Sequence, residues 1–260
     1  MKRTWAKFRL DEYFLTKYFM LHTLGLVALC CLIISAKGLT TELTLSWQHI
    51  SLLPFAALIG IQVPVLMHNC MHGNLKTNLA NHICGELSGF FALMSLGILR
   101  INHTLHHAYS DTDRDPHDPS NKSFVFFFFV SQLTGVGIVQ DKYFEYHGKD
   151  FKHQVIFKTN ILLHYVGHAL RLFVWFLVLG PNLFVSFYLP AFAVYSLAFA
   201  HVNYITHHTD ERGNVEILNK NDNLYYKFVN FIGSGVYFHK NHHLAPNLIN
   251  PMELSKRGRV

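Results

Sequence analysis

The chain has 260 residues, half of them hydrophobic and only 15% charged, and its mean hydropathy is positive. Soluble domains carry about a quarter charged residues, so this composition excludes an ordinary water-soluble fold and predicts an integral membrane protein. The net charge of +6 does not point to nucleic acid: the cations flank apolar stretches, with Lys2, Arg3, Lys7 and Arg9 near the start and Lys256, Arg257 and Arg259 at the end, as the positive-inside rule distributes them.

A bilayer core takes about 20 apolar residues as helix, and four stretches qualify: Tyr18–Ala36, Leu45–Met67, Ile161–Gly180 and Leu183–Ile205. The first two turn through Lys37-Gly-Leu-Thr-Thr-Glu and the last two through Gly180-Pro-Asn, short loops with the low charge of an outer face. The basic start runs through Asp11 and Glu12 into Tyr18 without a clean small-residue cleavage site, so the first span is expected to be retained. Between the pairs, Ile83–Leu99 has about the minimum length for a span. It reads instead as a membrane-skimming or re-entrant helix, because spanning would separate histidine groups on either side of it. Phe124–Val139 is a second interfacial element. The expected fold is an all-α integral membrane protein with four transmembrane helices, interfacial helices and a histidine-rich cytosolic cap that holds both termini. Without linker, repeat or low-complexity segment, residues 1–260 read as one domain. Cys30, Cys31, Cys70 and Cys84 are too few and too badly spaced for a disulfide framework and read as reduced thiols.

The chemistry lies in four short clusters: His68-x-x-x-His72, His103-x-x-His106-His107, Asn203-x-x-x-His207 and His239-x-x-His242-His243. Residues three and four apart share a helix face, so each group is expected to aim its imidazoles one way. Imidazole suits Fe, Zn, Cu and Ni, and nine such ligands exceed the four to six or so that one ion takes, which implies two metals. A single HxxxH occurs by chance; two HxxHH groups in one chain do not. The stretch after the second group, with Asp111, Asp113, Asp115 and His117, is either a turn-rich loop or a source of carboxylates that orient metal-bound imidazoles. Asn203 either holds a metal-bound water or makes interhelical hydrogen bonds, and His208 competes with His207 as ligand. His164, His168 and Arg171 form a polar stripe in the third span, best read as structural. Cysteine-poor clusters disfavour Fe–S centres and structural zinc, and no GxGxxG or G-x-S-x-G element is present.

These boxes, with Thr112-Asp-Arg-Asp-Pro-His117 and Gly235-Val-Tyr-Phe-His239-Lys-Asn-His242-His243-Leu-Ala-Pro246, resemble the membrane fatty acid desaturase superfamily over Leu66 to Pro246. The resemblance implies two Fe ions on His68, His72, His103, His106, His107, His207, His239, His242 and His243, with Asn203 bound through water. It also implies O2 as co-substrate, a lipid or acyl chain in a bent apolar tunnel, and insertion of a cis double bond. Electrons would come from a ferredoxin or a cytochrome b5 with its reductase. The bacterial inner membrane is expected over the endoplasmic reticulum. The first box departs from the acyl-CoA pattern, with three intervening residues instead of four and His72-Gly at its end, closer to carotenoid- and sphingolipid-modifying branches. Rival readings are a hydroxylase, ketolase or acetylenase on this scaffold, a metal-transport or haem-binding protein, and a non-catalytic relative. A transporter would string polar groups through the bilayer, whereas here they bunch at one face.

Overall fold

The computed structural model describes residues 1–110, 112–120, 122–209 and 215–256. Asp111, Arg257 and Arg259 therefore lie outside the described residues. Among the described residues the regular structure is helical apart from one short antiparallel strand pair, and its order follows the apolar pattern. Helix α1 (Lys2–Leu10) precedes α2 (Phe14–Lys37); a short α3 (Trp47–Ile50) leads into α4 (Leu53–His72). Then come α5 (Asn78–Phe91), α6 (Leu96–Tyr109), α7 (Phe124–His147), α8 (Phe151–Leu183) and α9 (Leu189–Thr206). Strands β1 (His207–Thr209) and β2 (Val215–Ile217) form an antiparallel pair, followed by α10 (Leu224–Ile232), α11 (His239–Leu244) and α12 (Met252–Lys256). Side chains of Thr77, Ser123, Asp150 and Asn223 accept from backbone N–H groups at the starts of α5, α7, α8 and α10, as N-caps should.

Three helical stretches among the described residues are long and apolar enough to cross a membrane: Phe14–Lys37, Trp47–His72 and Phe151–Thr206. The last is two helices. Gly180 takes φ 71°, ψ 169° between them, and Trp175 stacks on Tyr188 with ring centroids 5.1 Å apart. In a straight helix these rings would be separated by about 20 Å of rise, so the chain reverses at Gly180. The turn is one glycine rather than the expected Gly180-Pro-Asn loop, and α8 begins ten residues before the expected Ile161, extending beyond the apolar stretch. α2 packs on α8 through Leu26, Cys30, Val174 and Leu177. α4 packs on α9 so closely that a Cβ on Gly60 would lie 2.5 Å from the carbonyl oxygen of Ala191. Such backbone contact is how membrane helices associate without a hydrophobic driving force.

The membrane-skimming or re-entrant helix expected over Ile83–Leu99 is a bent pair: α5 and α6 meet at 94°. The break has a local cause. Leu93 sits at φ 60°, the N–H of Met94 donates to Gly89 at 2.7 Å, and a Cβ on Gly89 would collide with the Met94 carbonyl. The tip is fixed by Trp175 Nε1 and Tyr188 Oη, which donate to the carbonyls of Phe90 and Phe91. At the base, Tyr18 of α2 donates to Glu86 and accepts from the N–H of Gly97, bridging both arms. Including this pair and the bent halves of α7 (Phe124–Val130 and Gly135–His147, 48°), the crossing helices could number up to five.

One helical expectation fails. α9 ends at Thr206, and His207 lies in β1 with extended backbone (φ −102°, ψ 106°), paired with Ile217. The N–H of Leu218 donating to Thr206 at 2.7 Å draws the chain out of the helix. Asn203 and His207 therefore do not share a helix face.

Candidate metal centre

The ends of α4, α6, α9 and α11 converge, and the nine histidines singled out by spacing meet there in two groups. His68, His72, His103, His107 and His242 form one; His106, His207, His239 and His243 form the other. Within each group the nearest ring nitrogens all lie within 4.8 Å of one another. Nε2 of His72 is 2.7 Å from that of His103, His107 is 3.0 Å from His242, and His239 is 3.0 Å from His207.

The expectation that each box aims at one place is corrected. A helix advances 100° per residue, so i and i+4 diverge by about 40°, whereas i+3 falls about 100° from i+4 on the other flank. In α6, His103 and His107 accordingly face the first group and His106 the second. In α11 the split is reversed: His239 and His243 face the second group, His242 the first. Each HxxHH thus straddles both centres, two ligands to one side and one to the other, and locks them together as adjacent sites.

The fit to metal is decided at His106. Its Nδ1 is held by both carboxylate oxygens of Asp115, at 2.9 and 3.1 Å, and Asp115 is 1% exposed. Because Nδ1 carries the proton toward that carboxylate, Nε2 presents a lone pair. That Nε2 is buried without a hydrogen-bond partner, facing His207, His239 and His243. An orphaned buried nitrogen costs about 1–3 kcal/mol, and a cation at the centre of the four rings removes the cost. Burial, reinforced by neighbouring imidazoles, holds His239, His242 and His243 well below the ordinary histidine pKa, so they are neutral at pH 7 with lone pairs available. Two all-imidazole donor sets, five and four strong, fit two first-row transition metal ions.

The surrounding residues divide. Asp115 orients His106 and also accepts the N–H of His117 at 2.8 Å. The His117 ring lies 5.4 Å from that of His106, its pKa lowered by burial against the opposing pull of Asp115. Asp113, expected as another orienting carboxylate, is exposed, unlike the buried Asp115. Of His208 the backbone alone is described, in register with Glu216. Asn203 is buried beside the site, its amide nitrogen donating to the carbonyl of Phe199 at 2.8 Å.

Two features go beyond the sequence reading: the braces of the boxes, and the lining of the apolar tunnel that the resemblance implies. Asparagines in and beside the boxes brace them: Asn241 bonds Asn219, Pro251 and Ser255, while Asn69 and, just past the first box, Asn74 reach the carbonyls of Ile249 and Pro246. For Asn69 and Asn241 the position between ligands was the available signal. The other is a cavity of about 480 Å³ that opens on His68, His103, His239 and His242, and so on both groups, and is otherwise walled mainly by apolar residues of α4, α9 and α10.

Residues 45–249 match the family model described as fatty acid desaturase. An acyl-CoA desaturase of Cyprinus carpio is 27% identical over 233 residues, which are 83% of this chain and 61% of that relative, so the chain spans less than two thirds of its length. No solved structure matches the chain. The family match covers most of the sequence and takes in all nine histidines of the paired donor sets: the chain belongs to the fatty acid desaturase family.

Proposed function

We propose that this protein introduces a cis double bond into a fatty acyl chain, using O2 at two Fe ions held by the nine histidines. Overall, one –CH2–CH2– unit, O2, two electrons and two protons give –CH=CH– and two waters. Bound at the two donor sets, iron would supply the oxidising power that an unactivated C–H bond demands. The chain's own residues do the rest. His68, His72, His103, His107 and His242 hold one ion; His106, His207, His239 and His243 hold the other. Asp115 keeps the proton on Nδ1 of His106. Pro64, Val65, Val194 and Ala198 line the cavity with hydrocarbon, which excludes water and holds a methylene beside the ligands. Asn203 would meet an ion through a water.

The observation that carries this reading is the cavity: one apolar space faces members of both donor sets. We take the α2, α4, α8 and α9 helices as four spans, with α5–α6 re-entrant and the centre on the cytosolic side, in a bacterial inner membrane. A ferredoxin or a cytochrome b5 with its reductase delivers the electrons. Purified protein should contain about two Fe per chain, the number of sites that the two donor sets define, and a host of known lipid profile should gain an alkene on expression. His106→Ala should abolish the product while the protein remains in the membrane. Zinc or haem instead of iron, or a product that gains oxygen rather than losing two hydrogens, would overturn the assignment.

A further inference from the structure

We infer that the acyl chain enters sideways from the bilayer, still attached to a membrane lipid, through a mouth between α9 and α10. This rests on the reading of the cavity as the acyl site and adds to it the substrate's carrier and its route.

The exposed members of the cavity wall mark its openings. Leu197 of α9 and Tyr225 and Phe228 of α10 line the cavity and are about half exposed. Helix α10 carries Leu224, Phe228 and Phe231 on one outward face, the last 83% exposed, while Val229 on its other side packs against Val202 and Tyr237. Such a face is stable only in hydrocarbon. The position of α10 supplies that hydrocarbon. Its end is fixed to the middle of α4, where Gln62 donates to the carbonyl of Ile232 and Ile61 packs beside Gly233. Gln62 precedes His68, and Leu197 precedes Asn203, by about 9 Å of helical rise, so the mouth lies within the apolar band. The lipid tails that surround α4 and α9 therefore also meet α10 and the opening.

Behind the mouth the cavity wall carries a polar strip, running from exposed Tyr225 to buried Tyr237. Tyr225 and Tyr237 hydroxyls are 3.2 Å apart, and Tyr237 meets Nδ1 of His201 at 2.5 Å; all three residues line the cavity. Hydroxyls in so apolar a setting suit the ester oxygens of a lipid whose chain has slipped inside.

The test needs no turnover. Full-length protein in phosphatidylcholine vesicles is irradiated with a phosphatidylcholine bearing a diazirine at its acyl terminus, and adducts are mapped by peptide mass spectrometry. Adducts are expected inside the cavity, on Val65, Val194 or Val236. Phe228→Asp should cut cavity labelling about tenfold, since a charge in hydrocarbon is strongly disfavoured. Phe231→Asp, on the same face but outside the cavity lining, carries the same cost of a charge in hydrocarbon without touching the mouth, and should stay within about twofold. Leu197→Trp, narrowing the mouth from the other helix, repeats the test should Phe228→Asp fold poorly. Labelling confined to lipid-facing helix surfaces, equal losses for both aspartates, or displacement by a saturated acyl-CoA but not by saturated phosphatidylcholine would each overturn lateral entry. Cavity labelling in a protein that forms no alkene would leave the lipid route standing and remove the desaturase reading.

Discussion

Asp115 determines more of this site than any other residue that is not itself a candidate ligand. By accepting from Nδ1 it selects the His106 tautomer, and by its burial it makes that choice hard to escape. Asp115→Ala should lower metal affinity about 10–100-fold, the usual range for losing a carboxylate behind a ligating imidazole. The loss should fall on the group containing His106, so titration with Fe(II) should show one site weakened and the other retained. Asp113→Ala, at the exposed edge of the same turn, should leave both sites as they are. The four boxes were legible from spacing; the set of nine came with the family resemblance, and His208 stayed a rival to His207. The division of the nine was not legible, although it follows from helix geometry: treating i+3 and i+4 as one face hides the angle that sends His106 and His242 to opposite partners. His207 was found by proximity to Asn203 for the wrong reason, since a strand carries it.

At the scale of elements, the two donor sets depend on how closely α4 lies on α9, because α4 brings His68 and His72 while α9 delivers the chain to His207. Gly60 sets that distance. A Cβ there would meet backbone oxygen and the Cβ of Val194 at 2.5 and 2.7 Å, neither of which can swing away. Gly60→Ala should cost about 1–3 kcal/mol as overpacking, read as a lower thermal midpoint in detergent together with lower iron content. Gly25→Ala makes the opposite prediction, because nothing lies within 4 Å of its added Cβ. It should be neutral or stabilising by up to about 1 kcal/mol through helix propensity. The spans and their rough limits were legible because each is a long apolar run. The 94° break between α5 and α6 was not, because it arises from a tight backbone turn at Gly89–Ser95 and from contacts with Trp175, Tyr188 and Tyr18, which sequence periodicity does not register.

For the molecule as a whole, the bent pair decides whether a shared centre is possible at all. Were α5 and α6 one straight helix of about 30 residues, its length of about 45 Å would exceed a bilayer core and carry His103 to the far side from His72. Instead the pair bends by 94°, and Nε2 of His72 and His103 lie 2.7 Å apart. The ends of these helices away from the histidines are marked by Lys37, which reaches the carbonyl of Val178, and by Thr44, which bonds Asn182 across the two turns. In a background without native cysteines, Lys76→Cys and Thr112→Cys flank the bent pair at exposed positions, and Thr41→Cys lies in the outer connection. With a membrane-impermeant maleimide on sealed, oriented vesicles, the first two should label from one side and the third from the other. If Lys76→Cys and Thr112→Cys label from opposite sides, α5–α6 crosses the membrane. The histidines of α4 and α6 then cannot share a metal, and both the packing of α6 against α4 and the chemistry built on it are lost together.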